Sequence, residues 1–390
     1  MTTRRHFIKA TATTAGAFSL GLTGCGPEET ASATDGASTA EEGRGLSILI
    51  LGGTGFIGPH MVEWALARGH TVSLFNRGRT NTELFPDVET LIGDRDRKLD
   101  ALEGRTWDAV IDNSGYVPRH VRDSAALLST AVKQYLFISS ISAYGNFDKA
   151  SIDEDYVLGV MDDETIEQVT GDTYGPMKAL CEKAVADAFP TGTTIVRPGY
   201  IVGPGDKTDR WSYWPVRVDL GGEVLAPSAP DDPVQMIDAR DLARFVVGAL
   251  ENSILGKFNA VGPADRLTMG TMLDTIKITT GSDATFTWVG AEILEEHNVT
   301  LPIWSSPSGD SAGVHQISNA RAIANGMTFT SLEETIRDTL AWWKSLDAER
   351  QAAMRSGLRV LDGPQEGFRL PPMSMEDQLI QEAKLLAAFR

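Results

Sequence analysis

The sequence predicts an α/β fold in which helices cover both faces of a doubly wound parallel sheet, with a smaller lobe towards the C-terminus. Beyond residue 45, short apolar runs of strand length alternate with helical segments, which is the pattern of such a sheet. A glycine-rich turn stands between the first strand and the first helix. A region rich in Pro and Gly, residues 199–236, then interrupts the alternation and marks the start of the smaller lobe.

The glycine-rich turn covers residues 51–58 and follows the apolar strand 46–50. Gly52 permits the tight turn, Gly55 lets the backbone approach a pyrophosphate, and Gly58 allows the next helix to pack closely on the strand. The N-terminus of that helix offers N–H groups and a partial positive charge to phosphates. We therefore predict a nucleotide site, and the alternative is a purely structural turn. The residues assigned to the nucleotide are Gly52, Thr54, Gly55, Phe56, Ile57 and Gly58.

Six further strands continue the pattern, and helical segments such as 121–132 separate them. Ligands of such folds bind at the carboxyl edge of the sheet, where the parallel strands end. Near the C-terminus a helix begins at Ser331, where Glu334 is placed to complete a capping box. The further strands are expected at residues 71–75, 90–92, 108–112, 134–138, 193–198 and 257–261.

The N-terminus has the features of an export signal. Arg4 and Arg5 precede an apolar run, residues 10–24, that is too short and too polar to span a bilayer. Residues 22–25 resemble the lipobox of bacterial lipoproteins, in which the cysteine is acylated, so a lipid on Cys25 is expected to hold the protein at a membrane surface. We predict export by the twin-arginine route and a periplasmic or cell-surface lipoprotein. The alternative is a basic tail with a chance cysteine.

These signals divide the chain into five parts. The second part contains no large apolar side chain and is rich in Glu, Ser, Thr, Ala and Gly, so it predicts a flexible tether outside any core. The five parts are a signal peptide (1–25), the tether (26–44), a nucleotide-binding domain (45–198, with 237–262 returning to it), a substrate lobe (199–236 and 263–345) and a C-terminal helical extension (346–390).

The chain is strongly acidic, with a formal net charge of −18. Removal of residues 1–24 takes away three basic residues and no acid, which leaves a net charge of −21. So acidic a body argues against nucleic acid and anionic lipid headgroups as partners. Cys181 is the one cysteine after Cys25, so no intramolecular disulfide is expected, and we interpret Cys181 as a buried core thiol.

Tyr174 and Lys178 stand four residues apart, so one helix face presents both side chains. The pKa of a phenol is ordinarily about 10, and a neighbouring ammonium favours the phenolate. The pair could then take a proton from an alcohol near neutral pH. Residues 139–142 end the fifth strand at the same sheet edge, where a serine hydroxyl could hold the substrate oxygen. The alternative is a surface tyrosine stacked over a lysine stem.

The motifs occur together in an order that resembles the extended short-chain dehydrogenase/reductases, and more narrowly the NAD-dependent epimerase/dehydratase group. The resemblance runs from about residue 46 to 345 and implies a Rossmann fold that binds NAD or NADP. The segments that carry it are 52–58, 93–95, 137–145, 174–178, 197–199, 203–206 and 237–243.

The resemblance also implies roles for individual residues. Tyr174 would be the acid/base, and Lys178 would hold the nicotinamide ribose and depress the pKa of the tyrosine. Ser140 matches the serine of the family, and Ser142 is the less favoured choice. Asp94 matches the acid that contacts adenine. We expect no metal in this site.

Two departures from the family pattern bear on function. The interval between Ser140 and Tyr174 is wider than usual and holds an acidic segment, which we interpret as a solvated loop in preference to a substrate lid. The dehydratases of the family have an Asp-Glu pair directly after the serine or threonine. Ile141 and Ser142 stand there instead, so dehydration is disfavoured.

The choice between NAD and NADP depends on the end of the second strand. A carboxylate there would bind the ribose 2′-hydroxyl of NAD and repel a 2′-phosphate. The chain has Asn76 instead, followed by Arg77 and Arg79, which leans towards NADP. The alternative is that both arginines are solvated turn residues.

We expect an exported enzyme that oxidises or epimerises a secondary alcohol of a carbohydrate-like substrate. Free NAD(P) should be scarce outside the cytoplasm, so a closed redox cycle with a tightly held cofactor is expected. One alternative is a reductase or dehydrogenase of a lipid or steroid-like hydroxy or keto compound. Another is a non-catalytic NAD(P)-binding protein, which the complete set Ser140, Tyr174 and Lys178 disfavours.

Overall fold

The strands and helices of the protein come from a computed structural model that describes residues 45–361 and 371–390. The strands are β1 (Ser47–Leu51), β2 (Thr71–Asn76), β3 (Glu89–Ile92), β4 (Ala109–Asp112), β5 (Gln134–Ile138), β6 (Thr193–Pro198), β7 (Tyr200–Val202), β8 (Glu223–Pro227), β9 (Pro233–Asp238), β10 (Gly256–Ala260), β11 (Gly262–Thr268), β12 (Thr285–Val289), β13 (Val299–Thr300), β14 (Ala353–Met354), β15 (Arg359–Val360) and β16 (Met373–Ser374). The α-helices are α1 (Gly58–Ala67), α2 (Pro118–Leu128), α3 (Gly171–Ala188), α4 (Tyr213–Asp219), α5 (Ala239–Glu251), α6 (Met269–Thr280), α7 (Ala291–Glu296), α8 (Ala320–Ala324), α9 (Leu332–Ser345), α10 (Ala348–Gln351) and α11 (Met375–Ala388).

Seven parallel strands form the central sheet, in the order β3-β2-β1-β4-β5-β6-β10. The chain moves outwards from β1 to β3 and then returns to β4 on the other side of β1, so the strand order reverses between β1 and β4. This reversal defines a doubly wound sheet and opens a ligand crevice at the carboxyl ends of the two strands. The predicted fold class is confirmed, and the predicted strands occur within one or two residues of their expected bounds.

Two apolar layers cover the sheet because successive residues of a strand point to opposite faces. Ile48 and Ile50 of β1 pack in the layer that includes α1 and α5. Leu49 and Leu51 pack in the layer that includes α2 and α3, together with Cys181. Cys181 is fully buried and free, as expected for a core thiol.

A second core lies beyond the central sheet and is built by α4, α6, α9 and the pair β8–β12. Its largest members, Trp211 and Trp214, are completely buried. Met354 and Leu386 show that the segment after residue 346 contributes to the same core. Buried apolar area stabilises at roughly 25 cal/mol per Å², so this segment adds to the stability of the lobe. The segment 237–262, by contrast, belongs to the central sheet: it supplies the strand β10 and the helix α5, which packs on one face of the sheet.

The predicted export signal and tether lie outside the described residues. Arg4, Arg5, Cys25 and the segment 26–44 therefore stay predictions from the sequence. In the ranges 45–361 and 371–390, no helix is both long enough and apolar enough to cross a membrane.

Candidate active site

The glycine-rich turn after β1 is shaped by contacts that exclude a Cβ atom at two positions. Gly52 has a φ of +113°, and a Cβ on it would lie 2.1 Å from Oδ1 of Asn113. A Cβ on Gly58 would lie 2.5 Å from the backbone carbonyl carbon of Gly53, so α1 packs directly on the turn. A Cβ atom added to Gly55, by contrast, would have no atom of the described residues within 4 Å. The turn is thus closed towards the protein and open at Gly55, as a pyrophosphate cradle requires.

The start of α1 has the electrostatic character of a phosphate site. Ile57 precedes the helix without a side-chain cap, and its first turn contains no acidic residue. The first N–H groups of a helix have no partner within the helix, and they attract anions. The carbonyl of Thr54 accepts a hydrogen bond of 2.9 Å from Nδ2 of Asn81, which fixes the back of the turn. The ring of Phe56 lies 3.6 Å from the Cβ position of Gly205, in the loop after β7.

The ends of β2 and β3 place the other predicted cofactor residues at the same sheet edge. Asn76 ends β2, and its Oδ1 accepts a hydrogen bond of 2.8 Å from the N–H of Gly78. That turn leaves Arg77 and Arg79 exposed to solvent. Asp94 follows β3, is half-buried, and accepts a hydrogen bond of 3.1 Å from the N–H of the second residue after it. Because β2 pairs with β3, Arg77 and Asp94 follow the ends of neighbouring strands.

Ser140 and Tyr174 meet at the carboxyl end of β5. Ser140 begins a single 3₁₀ turn, Ile141–Ala143, and its Oγ accepts a hydrogen bond of 3.1 Å from the N–H of Ser142. The Ser140 hydroxyl also forms a hydrogen bond with the phenol of Tyr174, which lies in the first turns of α3. Ser142 enters this arrangement through its backbone, whereas the hydroxyl of Ser140 contacts the phenol.

Lys178 is buried one turn further along α3, and its ammonium is held by two backbone carbonyls. Nζ donates to the oxygens of Gly115 and Ile138, each at 2.7 Å. An ammonium has three N–H groups, so one is left for a ligand such as a ribose hydroxyl. Nζ also lies 4.2 Å from the centre of the Phe137 ring. Burial lowers the pKa of Lys178 to about 8, because the charged form is poorly solvated there.

The pKa of Tyr174 departs from the sequence-based expectation. Burial raises it, and the nearby phenol of Tyr116 adds to the rise. The hydrogen bond from Ser140 and the charge of Arg210 lower it, but they do not outweigh burial. The pKa of Tyr174 is therefore above its ordinary value overall, and a lowering effect of Lys178 stays a prediction. The reason is that α3 buries the phenol, and sequence spacing does not report burial.

Two residues near Tyr174 were missed by the sequence analysis. Tyr116 follows β4, and its ring centre lies 6.3 Å from that of Tyr174 and 5.4 Å from Nζ of Lys178. Its place four residues after a strand end, at the carboxyl edge, is a signal that could have found it. Arg210 lies in the loop after β7, and no spacing in the sequence links it to Tyr174.

Most acidic residues of the loop between Ser140 and α3 are exposed, in line with its interpretation as a solvated loop, but the loop is held to the rest of the protein at a few points. Glu154 is 2% exposed, and its carboxylate accepts a hydrogen bond of 2.9 Å from the N–H of Asn259. Arg321 lies 3.3 Å from the other oxygen of this carboxylate. Glu167 at the far end pairs with Arg119 at 2.6 Å. The partners come from distant parts of the chain, so the local sequence could not show these ties.

The chain matches a family model and several proteins along most of this architecture. The model of the NAD dependent epimerase/dehydratase family matches residues 48–260, which is more than half of the 390 residues. The chloroplast stem-loop binding protein of 41 kDa b from Arabidopsis thaliana is 26% identical over 230 residues, which cover 53% of this chain and 55% of that protein. The N-acetyl-alpha-D-glucosaminyl-diphospho-ditrans,octacis-undecaprenol 4-epimerase of Escherichia coli O157:H7 is 25% identical over 231 residues, which cover 54% of this chain and 65% of that protein. The chain therefore spans less than two thirds of the length of either relative.

Solved structures share the fold at lower identity. The enzyme WbmG of Bordetella bronchiseptica, in complex with NAD and UDP, superimposes with a TM-score of 0.58 and 16% identity, over 78% of this chain and 96% of that one. The human epimerase family protein SDR39U1 with NADPH gives a TM-score of 0.53 and 21% identity, over 77% of this chain and all of that one (100%). At these identities the likeness concerns the fold.

Gly175 sets the approach of α3 to the serine turn. A Cβ on this residue would lie 2.1 Å from the carbonyl oxygen of Ser142, so a side chain there must push the helix away. Tyr174 directly precedes Gly175, so the close packing of α3 on the serine turn also brings the phenol of Tyr174 to Ser140. The absence of a side chain at Gly175 therefore holds the phenol at the serine hydroxyl.

We predict that Gly175→Ala destabilises the protein by about 1–3 kcal/mol, the usual cost of an added methyl group in a packed site. Gly171→Ala is the matched control, because Gly171 begins the same helix and its Cβ position meets nothing within 4 Å. The control should be neutral or slightly more stable, since alanine favours helix. Urea denaturation measures both free energies of unfolding. Equal stability of the two variants would contradict the close approach of α3 to Ser142.

Proposed function

This chain belongs to the NAD-dependent epimerase/dehydratase family, and from that premise we propose that it is an exported, lipid-anchored NAD(P)-dependent epimerase or oxidoreductase. Its substrate is a secondary alcohol of a carbohydrate-like compound. The observation that carries the proposal is the hydrogen bond between Ser140 and Tyr174, with Lys178 one helical turn away. All three lie at the sheet edge onto which the glycine-rich turn opens.

The cofactor site is proposed from the glycine-rich turn, the start of α1, Asp94 and Lys178. The open turn at Gly55 and the start of α1 receive the pyrophosphate, and Asp94 faces the adenine. The remaining N–H of Lys178 receives a hydroxyl of the nicotinamide ribose. When bound, the nicotinamide supplies the reversible hydride acceptor that oxidation of an alcohol requires. Arg77 and Arg79 favour NADP, while WbmG with NAD and SDR39U1 with NADPH indicate that this fold accommodates either cofactor.

Tyr174 is the proposed acid/base, and the direction of its pKa shift defines what it does. Burial raises the pKa, so the phenol is protonated at neutral pH in the protein alone and is suited to give a proton to a carbonyl oxygen. Removal of a proton from an alcohol needs the phenolate, which the positive charge of Lys178 favours. The hydroxyl of Ser140 holds the substrate oxygen in both directions.

Export favours a reaction that returns the cofactor to its starting state. The twin-arginine route carries folded proteins, so a cofactor bound in the cytoplasm could cross with the chain. An epimerase oxidises and then reduces one substrate, and it needs no further supply of NAD(P). The name of the Escherichia coli relative, a 4-epimerase, supports this choice. The net charge of −21 after removal of residues 1–24 disfavours a nucleotide-diphosphate substrate, and it disfavours nucleic acid as a partner.

A second candidate function is the reduction or oxidation of a lipid or steroid-like compound near the membrane. One observation favours it, namely the exposed apolar side chains of the loop before α3. Val157 is 56% exposed, Val160 is 84% exposed and Ile166 is 40% exposed. Exposed apolar side chains on one loop can meet an apolar ligand. Incubation with glycosides and with hydroxysteroids, followed by product analysis, separates the two candidates.

We predict that Tyr174→Phe lowers turnover by ~10²–10⁴-fold, the usual contribution of positioned acid/base catalysis. The fold and the affinity for NAD(P) should persist, because the phenol hydroxyl lies outside the proposed cofactor contacts. Tyr156→Phe is the control: it removes a phenol hydroxyl that bonds Asn146 and Asp148 on the surface. Turnover is followed as product formed from the converted glycoside. Near-normal turnover of Tyr174→Phe would remove this residue from the mechanism.

We predict that Cys25→Ser leaves an exported protein soluble or unprocessed, with an unchanged enzyme body. A serine cannot take the lipid that we propose on the cysteine. Membrane fractionation and mass spectrometry of the intact chain provide the measurement. A wild-type chain that fractionates as soluble and has no acyl mass would contradict the anchor.

A further inference from the structure

Arg210 lies in the loop after β7, which several hydrogen bonds hold in place. Its Nε donates a hydrogen bond of 3.0 Å to Oγ1 of Thr208. The Thr208 hydroxyl in turn donates to Oδ1 of Asp206 at 2.7 Å, and the N–H of Thr208 donates to the same oxygen at 2.8 Å. Asp209 ties the loop to the C-terminal segment, because its carboxylate pairs with Arg350. The guanidinium of Arg210 is therefore placed before any ligand arrives.

Among the described residues Arg210 has no carboxylate partner, although it is half-buried. Within residues 45–361 and 371–390, no carboxylate oxygen lies within 4.0 Å of its guanidinium, and Asp206 reaches it only through Thr208. Charges withdrawn from water are normally paired, because an unpaired one is costly. Most other arginines withdrawn from solvent in the described part of the chain follow this rule. Examples are Arg95 with Asp112, Arg197 with Glu182, Arg240 with Asp238 and Arg350 with Asp209.

The positive charge of Arg210 acts on the candidate site, where it lowers the pKa of Tyr174. Its guanidinium carbon lies 5.4 Å from the centre of the Tyr200 ring. Tyr200 begins β7 directly after β6, and β6 pairs with β5, the strand that leads to Ser140. The arginine and the Ser140–Tyr174 pair thus border the same edge of the sheet.

His315 packs on the ring of Tyr200, and that ring in turn lies next to the guanidinium of Arg210. It stacks on Tyr200 with ring centres 5.5 Å apart and an angle of 15°. The N–H of Gln235 donates to its Nδ1 at 3.0 Å, so Nε2 carries the proton. Nε2 is buried and has no hydrogen-bond partner among the described residues. Burial lowers the pKa of His315 to about 4, which keeps the imidazole neutral at neutral pH.

We propose that Arg210 binds a carboxylate carried by the substrate, next to the carbinol on which Tyr174 acts. The inference rests on the proposed function and adds the class of substrate, an acidic sugar or sugar-like acid. One guanidinium matches a monoanion, and the planar fork of arginine matches a planar carboxylate. A phosphate dianion would call for more positive charge than this acidic chain places here. His315 and Tyr200 are positioning residues for the guanidinium.

The test measures binding in a protein that cannot turn over. Full-length Tyr174→Phe, saturated with NAD(P), is titrated by calorimetry with methyl glucuronide, methyl glucoside and glucose 6-phosphate. These probes carry a carboxylate, no charge and a phosphate. We expect methyl glucuronide to bind at least about tenfold tighter than methyl glucoside, as one bidentate charge-assisted contact would give. Glucose 6-phosphate should bind more weakly than the glucuronide.

Three added substitutions assign the preference to Arg210. Arg210→Gln should bind methyl glucuronide and methyl glucoside equally, and Arg210→Lys should keep a reduced preference, since it retains the charge without the fork. Arg337→Gln is the matched control, because Arg337 is exposed and its Nε contacts the carbonyl of Glu333 within its own helix. It should retain the full preference. Circular dichroism of each variant checks the fold.

Several results would overturn the carboxylate site. They are equal binding of the charged and neutral glycosides, a preference that survives Arg210→Gln, tighter binding of the phosphate, and binding of no probe. If the Gln variant does not fold, an undiminished preference in Arg210→Lys would overturn the site as well. Reduction of bound cofactor by methyl glucoside in the wild-type chain tests the proposed function separately. Either idea can therefore fail alone.

Discussion

The buried ammonium of Lys178 is the interaction on which the arrangement of the candidate site depends. A charge placed among apolar side chains must be solvated by the protein, and the carbonyls of Gly115 and Ile138 do so at 2.7 Å each. These carbonyls lie just beyond β4 and at the end of β5, so the lysine fixes α3 against two strand ends. Tyr174 stands one helical turn earlier, and this anchor sets its distance to Ser140.

A second buried network lies one turn further along the same face of the helix. Glu182 lies one turn after Lys178 and forms a paired contact with Arg197 of β6, with distances of 2.7 and 2.9 Å. Oε1 of Glu182 also accepts a hydrogen bond of 2.5 Å from Ser139, the residue before Ser140. Arg197 in turn donates to the carbonyl of Glu154 at 3.0 Å. The strand end, the helix and the acidic loop are therefore one connected unit, and loss of either charged partner would leave the other unpaired in the core.

The features that the sequence predicts are those in which close neighbours along the chain determine the structure. Strand alternation, the turn from Gly52 to Gly58 and the i, i+4 pair Tyr174 and Lys178 depend on local spacing, and the structure shows these elements where the sequence places them. The features that sequence reasoning missed depend on contacts between distant segments. The buried carboxylate of Glu154 is hydrogen-bonded to the N–H of Asn259, more than a hundred residues later in the chain. The pKa of Tyr174 is raised because the folded protein buries the phenol, and the spacing of residues along the sequence does not show this burial. The predicted roles of the cofactor residues stay predictions.

We propose that the exported chain retains a nicotinamide dinucleotide at the glycine-rich turn and Lys178. The most direct test is mass spectrometry of the small molecules released by denaturing protein purified from the exported fraction, after extensive dialysis. We expect close to one nicotinamide dinucleotide per chain, with NADP favoured by Arg77. An exported protein that is empty, and that binds added NAD or NADP only weakly, would contradict the retained cofactor and the closed redox cycle built on it.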